Sequence, residues 1–435
     1  MNNRIIKFNI TEIKYRNAAK IFDTIDRGYM PSILTGNGPQ DISKESIIGL
    51  KPYIDITIKD PTNIWEDLRT LNNSTNFHSM PYPINRVGAI GYISYEALHT
   101  LEKIEKQTVD EYEFPLLNWI IYTEYYYVSQ ENCKAWHIEL KYDKEPVITG
   151  KNHLDKGFKV HNLQPDFTPE EYKENVVKVQ KAITNGDVYE LNLTQGVKGS
   201  FEGSPYSLFK KLYSNNSAPY SAYLERKGYT VVSNSPELFL RCDKNLVETR
   251  PIKGTAPRGT KKNEDDRLKK ELVKSKKNQA ELYMIIDLMR NDLSKVCTYG
   301  SVQVVTPKRI ETYKNVHHLV SIIQGELKKD IDYIDLFKAT FPGGSITGCP
   351  KVRCMELTEK IEKSSRNLYT GTIFIMNREM LNSSIVIRSC VIKDDKIIFN
   401  SGGAITIDSD PKEEFEESKI KLQSIYKAVE DENNI

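Results

Sequence analysis

We expect a protein of mixed helical and strand structure, because helical and strand-like segments interleave irregularly along this chain. The sequence has no fixed-period repeat and no low-complexity tract. At 435 residues the chain exceeds one ordinary core, which predicts two domains or one large domain of two parts. Hydrophobic residues make up 39% and charged residues 28% of the chain, as in soluble globular proteins.

The charge balance and the lack of long apolar segments exclude several classes of function. With 61 basic and 59 acidic residues, the net charge is +2, so no overall field favours nucleic acid or anionic lipid as a partner. No segment has transmembrane length and the first residues lack a signal-peptide core, so we expect a cytoplasmic protein without a membrane partner. The six cysteines show no CxxC pair and no zinc-site spacing, which argues against structural zinc.

The first 150 residues alternate strand-like runs with polar turns, and we assign them to an N-terminal domain, 1–150. A polar, proline-punctuated segment from Lys144 to Pro165 predicts a connection between domains. A second domain is then predicted over 165–430. The clearest strand-like runs before the connection are 52–58, 88–95 and 119–128.

A helix is predicted directly after the connection. Thr168 is a typical N-cap, Pro169 suits the first helical position, and Glu171 completes a capping box. Asn185 and Gly186 predict the end of this helix. The strand-like runs that follow are 188–193, 229–233, 238–242, 246–249, 301–305, 372–376, 384–391 and 396–400. The further helical patterns cover 264–296, 352–361 and 412–429.

One lysine, Lys253, lies in a segment of unusual composition, 248–259. Two prolines restrict φ there and two glycines allow backbone to approach a ligand, so we expect a stiff, irregular connection between a strand and a helix. Arg250 and Arg258 flank the lysine, and they would favour a neutral amine on Lys253 and an anionic ligand. On composition alone, a solvated basic turn is the commoner explanation of such a segment.

Four glutamates are candidates for chemistry. Glu237 precedes Lys253 by sixteen residues, so adjacent strands could bring the two side chains together for proton transfer; an exposed glutamate at a strand end is the alternative. Glu281 enters a largely apolar helical turn, which a metal ligand or a buried salt bridge explains equally well. Glu414 and Glu417 share a helical face, and with Glu281 they would suit magnesium, whereas an acidic first helical turn is the simpler explanation.

Two glycine-rich segments and one histidine complete the candidates. The segment 343–351 resembles an anion-binding nest before a helix, and it lacks the order of a Walker motif. The segment 401–404 could offer backbone N–H groups to a carboxylate, with a plain turn as the competing explanation. His318 is a candidate proton donor, although a satisfied core histidine is commoner.

The order and spacing of these motifs resemble the chorismate-utilising family that includes anthranilate synthase component I. The central signature is Thr-Arg-Pro-Ile-Lys-Gly-Thr-Ala-Pro-Arg-Gly at 249–259, and the resemblance covers 167 to about 428. The first 150 residues resemble the family's N-terminal domain more loosely. The other matching motifs are 186–195, 235–237, 280–281, 287–292, 343–351, 369–371, 387–388 and 408–419.

The resemblance implies an α+β fold, in which two sheets pack face to face as a β-sandwich and helices lie outside. The active site would lie between the sheets, near the strand ends. The two domains would be an anthranilate synthase component I-like N-terminal domain and a chorismate-binding catalytic domain.

The resemblance also implies a covalent reaction on chorismate. The amine of Lys253 would attack the ring carbon next to the carboxylated one, Glu237 would protonate the departing hydroxyl, and ammonia would then displace the lysine to form 4-amino-4-deoxychorismate. Mg²⁺ held by Glu281, Glu414 and Glu417 would bind the ring carboxylate. The implied catalytic residues are Lys253, Glu237 and His318, and the implied substrate-binding residues are Thr255, Thr347, Tyr369, Arg388, Gly402 and Gly403.

The identity of residue 253 discriminates within the family. Anthranilate synthases carry alanine between Pro-Ile and Gly-Thr, whereas the enzymes that form the para-amino product typically carry lysine, as here. Isochorismate and salicylate synthases carry a water-activating lysine at the place of Glu190, so the addition of water is disfavoured. An anthranilate synthase and a non-catalytic scaffold of the same fold are the alternatives.

The resemblance further implies a partner that supplies ammonia. The chain has no evident glutaminase cysteine with a partner histidine, so a separate glutamine amidotransferase subunit would form a heterodimer with it. The family's tryptophan pocket would map onto Thr35, Ser46, Pro219, Tyr220 and Ser221.

Overall fold

The computed structural model describes residues 4–39, 41–144 and 157–433. These ranges contain twenty strands and nine α-helices. The strands are β1 Ile5–Ile13, β2 Ser32–Thr35, β3 Glu45–Ile58, β4 Ala89–Ile93, β5 Leu117–Ser129, β6 Lys134–Tyr142, β7 Phe158–Pro165, β8 Glu190–Gly203, β9 Tyr220–Arg226, β10 Tyr229–Ser235, β11 Leu238–Asp243, β12 Leu246–Arg250, β13 Ile252–Pro257, β14 Gln303–Thr312, β15 Val316–Glu326, β16 Gly348–Cys349, β17 Thr372–Met376, β18 Met380–Ile385, β19 Ser389–Lys393 and β20 Lys396–Ile405. The helices are α1 Ala18–Thr24, α2 Ile64–Asn73, α3 Pro169–Thr184, α4 Pro205–Asn216, α5 Lys262–Lys274, α6 Lys276–Val296, α7 Tyr333–Thr340, α8 Lys351–Ile361 and α9 Pro411–Asn433. Among these nine helices, none combines the length and hydropathy needed to cross a membrane.

All twenty strands of the described ranges belong to one hydrogen-bonded network, and the pairings between them are antiparallel. The long strands β3 and β5 pair with each other at its centre. One arm leaves β5 through β4, β17, β18, β11 and β12 to β15, which pairs with β13 and β14. The other arm leaves β3 through β2, β9, β10, β19, β20 and β8 to β7.

The two arms face each other across a shared core. The hydroxyl groups of Tyr92 on β4 and Tyr229 on β10 lie 2.5 Å apart and are buried. Arg226 on β9 also donates a hydrogen bond to the side-chain oxygen of Asn118 on β5, at 2.5 Å. The α+β fold is therefore confirmed, and the two sheets that the resemblance implies are two arms of one continuous network.

The helix predicted after residue 168 is confirmed with its cap. The hydroxyl of Thr168 accepts a hydrogen bond from the backbone N–H of Glu171 at 3.2 Å, and the Glu171 carboxylate accepts one from the N–H of Thr168 at 2.8 Å. This reciprocal pair satisfies donors that every helix leaves free at its start. Tyr172, Val176 and Val179 then bury one face of α3.

The segment around Lys253 is a strand, which corrects the predicted connection between a strand and a helix. Strands β12 and β13 both pair with β15, and Pro251, which has no N–H to donate, separates them. The register of β13 shifts between Ile252 and Thr255, where Gly254 has a φ of +86°. A Cβ on Gly254 would lie 2.9 Å from the side chain of Asn278. The glycine therefore lets α6 pack closely against the strand that carries Lys253.

The single helix predicted over 264–296 is wrong, because two helices, α5 and α6, occupy this segment. Ser275 separates them, and its side chain accepts a hydrogen bond from the N–H of Asn278 at 3.3 Å. The sequence did not predict this break, because a serine between two lysines is neither a glycine nor a proline, the residues that usually mark the end of a helix. The break lets α6, which carries Glu281, pack against β13 and β15.

The predicted connection between domains is only partly described. Residues 145–156 lie outside the described residues, and 158–165 form strand β7, which pairs with β8, so the prediction of a connection there is wrong. Strands from both sides of this segment pair with each other, as β2 does with β9 and β4 with β17. The division into domains 1–150 and 165–430 stays a prediction.

Replacing the cap of α3 by Thr168→Ala should lower the free energy of unfolding by about 1 kcal/mol, because the N–H of Glu171 loses its acceptor. Urea unfolding followed by circular dichroism measures the change. Thr184→Ala at the other end of α3 is the matched control: its hydroxyl bonds only to Gln180 in an exposed position, so a change within about 0.5 kcal/mol is expected. Equal losses in both variants would contradict the role of the cap.

Candidate active site

The amine of Lys253 lies in the protein interior, paired with a carboxylate. Its side chain on β13 is 7% exposed, and its Nζ atom donates a short hydrogen bond to Oε1 of Glu190, which is 0% exposed on β8. The two strands belong to opposite arms of the network, so this ion pair joins the arms. A buried charge pair of this kind excludes the solvated basic turn that composition alone favours.

The two arginines that flank Lys253 in sequence do not act on it. Arg250 binds Glu248 and Asp41, each at 2.8 Å, and Arg258 binds Asp265 at 2.7 Å. The prediction that they favour a neutral lysine is therefore wrong. Burial lowers the pKa of Lys253, but the neighbouring carboxylates, Glu190 foremost, outweigh it and raise that pKa above its ordinary value.

Glu237 is a buried carboxyl group with a raised pKa. It directly precedes β11, is 4% exposed, and accepts a hydrogen bond from the hydroxyl of Ser345 at 2.5 Å. Burial raises its pKa to about 7, although Ser345 and the charge of Lys253 work in the opposite direction. Glu237 and Lys253 therefore interact electrostatically, and proton transfer between them stays a prediction. A carboxyl group that holds its proton near neutral pH is suited to general acid catalysis.

His318 on β15 is a neutral imidazole. Its Nδ1 atom lies 2.9 Å from the hydroxyl of Thr255, and burial together with the charge of Arg388 lowers its pKa to about 3. The buried Nε2 atom has no hydrogen-bond partner among the described residues. His318 therefore cannot serve as a cationic acid near neutral pH, and its predicted role as proton donor would require the N–H of the neutral ring.

The guanidinium group of Arg388 has no ion-pair partner among the described residues. Arg388 has a φ of +52°, and among the described residues none forms a hydrogen bond or an ion pair with its guanidinium group. Glu237 is the carboxylate with which it interacts electrostatically, and burial lowers the pKa of Arg388. A partly buried guanidinium group that is free to form two parallel hydrogen bonds suits a carboxylate ligand.

Strand β8 presents a row of buried polar side chains. Glu190, Asn192 and Thr194 are buried, and side chains two residues apart point to the same side of a strand. Oε2 of Glu190 and the hydroxyl of Thr194 have no hydrogen-bond partner in the part of the chain that the structure describes. Buried polar atoms without a hydrogen-bond partner are uncommon in folded proteins. A bound ligand that forms hydrogen bonds with these atoms would explain them.

Gly402 and Gly403 lie next to this row, on β20, and pair with Thr194 and Leu193. A Cβ on Gly402 would lie 2.4 Å from the backbone oxygen of Leu193 and 2.7 Å from the Thr194 hydroxyl. A Cβ on Gly403 would lie 3.2 Å from Oε2 of Glu414. The glycines therefore keep the space between β8 and helix α9 open.

The remaining predicted substrate-binding residues are buried. The hydroxyl of Thr347 donates to the backbone oxygen of Gly343 at 3.0 Å, so it is already engaged. Tyr369 lies before β17, and burial raises its pKa. The segment 343–347 contributes to the site differently from the prediction, since Ser345 contacts Glu237 rather than an anion.

The three predicted metal ligands lie on two helices. Glu281 is on α6 and Glu414 on α9, and burial raises the pKa of both, with repulsion from Glu417 adding to the effect. Burial also raises the pKa of Glu417, but the ion pair with Lys421 at 2.8 Å outweighs it and gives a lowered value. Mutual repulsion among oxygen ligands is what a hard cation relieves, so the chemistry of the donor set fits Mg²⁺.

The same carboxylates are engaged by protein groups. Glu414 accepts a hydrogen bond from Ser409 at 2.7 Å and lies 3.8 Å from Nζ of Lys277. Within the described ranges, no three His, Cys, Asp or Glu side chains are arranged to hold a metal ion. Binding of Mg²⁺ by Glu281, Glu414 and Glu417 stays a prediction, and it requires these side chains to exchange lysine partners for the ion.

The predicted tryptophan pocket corresponds to a small cavity between the two arms. Thr35, Pro219, Tyr220 and Ser221 line it, and Ser46 lies 3.1 Å from Thr35. Its volume is about 50 Å³, whereas a cavity that binds benzene measures about 150 Å³. An indole ring would therefore need rearranged side chains, and tryptophan binding stays a prediction.

Sequence reasoning missed three members of this site: Glu190 as the partner of Lys253, Thr194, and Ser345. A signal for the first two was present, because polar residues alternate along the otherwise apolar β8 segment. No pattern in the sequence predicted that Ser345 would donate a hydrogen bond to Glu237, which precedes it by more than one hundred residues.

Residues 32–427 match the model of the chorismate binding enzyme family. Aminodeoxychorismate synthase component 1 of Bacillus subtilis is 34% identical over 410 residues, which cover 89% of this chain and 86% of that protein. Anthranilate synthase component 1 of Aquifex aeolicus is 38% identical over 288 residues, 66% of this chain and 58% of that protein. The crystal structure of anthranilate synthase component I from Streptococcus pneumoniae superimposes with a TM-score of 0.75 at 23% identity, over 88% of this chain and 92% of that one.

The free energy of unfolding of Glu237→Gln, compared with that of the wild type, should depend on pH. The difference in favour of the variant should be about 3 kcal/mol greater at pH 8 than at pH 5. The folded protein raises the pKa of Glu237 from 4.5 to about 7, so the folded state binds this proton more tightly and wild-type stability falls as pH rises through that interval. Urea unfolding at both pH values measures the difference. Glu202→Gln, which removes a carboxylate at an exposed position, is the control, and a difference between Glu237→Gln and wild type that does not change with pH would contradict the raised pKa.

Proposed function

This chain belongs to the chorismate binding enzyme family, and on that premise we propose that it converts chorismate and ammonia into 4-amino-4-deoxychorismate. The observation that carries the proposal is the buried amine of Lys253 next to Glu237, whose pKa is about 7. It is supported by the aminodeoxychorismate synthase component 1 proteins of Bacillus subtilis and Escherichia coli, which are 34% and 31% identical over most of the chain.

Binding of the substrate depends on cationic and backbone groups. The free guanidinium of Arg388 is suited to one carboxylate of chorismate, and the open backbone at Gly402 and Gly403 to another. Tyr369 and Thr255 would contribute contacts at the edge of the ring. The unpaired hydroxyl of Thr194 supplies a further hydrogen bond to the ligand.

Lys253 is the nucleophile. Its neutral amine attacks the ring carbon next to the carboxylated one, the double bonds shift, and the bond from the ring to the departing hydroxyl breaks. Glu237 delivers its proton to that hydroxyl, which leaves as water. Ammonia then attacks the carbon that lost the hydroxyl, the double bonds shift back, and the bond between Lys253 and the ring breaks.

Glu281 and Glu417, with Glu414 nearby, would hold Mg²⁺. When bound, the ion supplies positive charge for the ring carboxylate of chorismate. The protein's part is to supply these carboxylates from α6 and α9, and Glu414 lies next to Gly403. Release of Lys277 and Lys421 from their present partners accompanies binding.

We further propose that a separate glutamine amidotransferase subunit delivers the ammonia, as a heterodimer with this chain. The designation component 1 of the Bacillus subtilis relative supports a second component. A second candidate function is anthranilate synthesis, favoured by the 38% identity to the Aquifex aeolicus anthranilate synthase over the shorter alignment. The lysine at residue 253 favours the first function.

Incubation of the protein with chorismate, Mg²⁺ and an ammonium salt should yield a product that becomes 4-aminobenzoate only after aminodeoxychorismate lyase is added. Fluorescent anthranilate formed without a lyase would instead identify the second function. Lys253→Ala should form no covalent adduct in intact-mass measurements, and Glu237→Gln should lose about 100-fold or more in turnover. If the wild-type protein forms neither product, the remaining alternative is a non-catalytic scaffold of this fold.

Glu281→Gln and Glu417→Gln should each abolish turnover that depends on Mg²⁺. They should also remove the rise in melting temperature that Mg²⁺ gives the wild-type protein. Glu416→Gln is the matched control, because Glu416 is a neighbouring exposed residue of α9 that pairs with Lys419 at 3.0 Å. Full activity and an unchanged Mg²⁺ effect in both variants would overturn the assignment of these ligands.

A further inference from the structure

The nucleophilic amine has one direct partner for its proton. Within the described ranges, Oε1 of Glu190 is the only acceptor that hydrogen-bonds to Nζ of Lys253, and Lys253 forms no other ion pair. Glu190 is 0% exposed, so water does not reach its carboxylate through the surface. Its other oxygen, Oε2, lacks a partner among the described residues.

We propose that Glu190 is a catalytic base, which takes the proton of Lys253 to release the neutral amine and returns it at the end of each turnover. This proposal rests on the function proposed above, because it assigns a residue to the same reaction. The proposal gives Glu190 a role in amination. Isochorismate and salicylate synthases carry a water-activating lysine at the corresponding position.

The other charged groups around Lys253 are poorly placed for this role. Glu237 accepts a hydrogen bond from Ser345. As the proton donor of the reaction it already carries a proton at the start of turnover, so it cannot accept the proton of Lys253. Glu281 on α6 acts on Lys253 only through its charge, without an ion pair. The titratable groups that face Glu190 itself are Lys253, Glu281, Cys349 and Cys354.

Proton transfer within this pair suits its buried position. A buried ion pair has given up the hydration of both charges, and transfer along the hydrogen bond converts it into a neutral amine and a neutral acid. Glu190, Glu281 and Glu237 raise the pKa of Lys253, which makes the ammonium its resting form. An amine in that form requires a base before it can attack.

The protons and bonds balance over the cycle. Glu190 takes the proton from Lys253, the amine forms a bond to the ring carbon, and the proton of Glu237 leaves with the ring hydroxyl as water. Ammonia displaces the amine, and the new ammonium group of the product returns a proton to Glu237. Glu190 then returns its proton to the released Lys253, and the net reaction consumes chorismate and ammonia and forms product and water.

The deciding experiment compares the pH dependence of turnover in Glu190→Gln, Glu190→Asp and wild type, with ammonium as nitrogen source. Glu190→Gln keeps the shape and hydrogen-bonding oxygen of the side chain but cannot accept the proton. We expect its kcat to fall about 100-fold or more at neutral pH and to recover partly as pH rises, with KM for chorismate within a few-fold of wild type. Glu190→Asp should retain more activity than Glu190→Gln.

Glu359→Gln is the matched control, since Glu359 is also a buried carboxylate, bound to Thr108 away from the site. Its pH profile should equal that of the wild type. Wild-type kcat and pH profile in a folded Glu190→Gln would overturn the base while leaving the function intact, whereas a wild-type protein that forms no product would overturn the function itself.

A measurement on the wild-type protein keeps the proposal testable if both Glu190 variants misfold. Competitive acetylation of lysines with acetic anhydride, read residue by residue by mass spectrometry, gives the titration midpoint of Lys253. A midpoint above that of exposed lysines supports the requirement for a base. A midpoint near neutral pH would overturn it, because the amine would then be free without Glu190.

Discussion

The ion pair between Lys253 and Glu190 is the constraint around which the site is built. Removing two charges from water costs several kcal/mol each, and a fold tolerates this only where the partners are held at hydrogen-bond distance. Here the partners come from β13 and β8, which lie in opposite arms of the strand network. The arms must therefore meet in a fixed register for the charges to be compensated, and Glu237 interacts with the charges of both Lys253 and Arg388.

The two carboxyl groups next to the amine have different partners. Glu190 pairs directly with the ammonium, whereas Glu237 accepts a hydrogen bond from the hydroxyl of Ser345 and interacts with the charges of Lys253 and Arg388 without an ion pair among the described residues. Burial without a direct cationic partner raises the pKa of Glu237 to about 7. Two glutamates around one lysine therefore have different surroundings, which is the arrangement that an acid and a base in one site require.

Local patterns in the sequence predicted local structure well. The capping box at Thr168 depends on neighbouring residues and was recognisable. The order of the motifs likewise predicted the family and the fold. The direction of the pKa shift of Lys253 was not predictable, because Arg250 is engaged by Asp41, which lies 209 residues away in sequence. Only the folded chain reveals which charges face the lysine.

The continuity of the strand network limits how this protein can admit its substrate. β3 and β5 pair over most of their length, so within the described ranges a long ladder of backbone hydrogen bonds joins the two arms. A hinged clamshell motion would break this ladder, at a cost of many backbone hydrogen bonds.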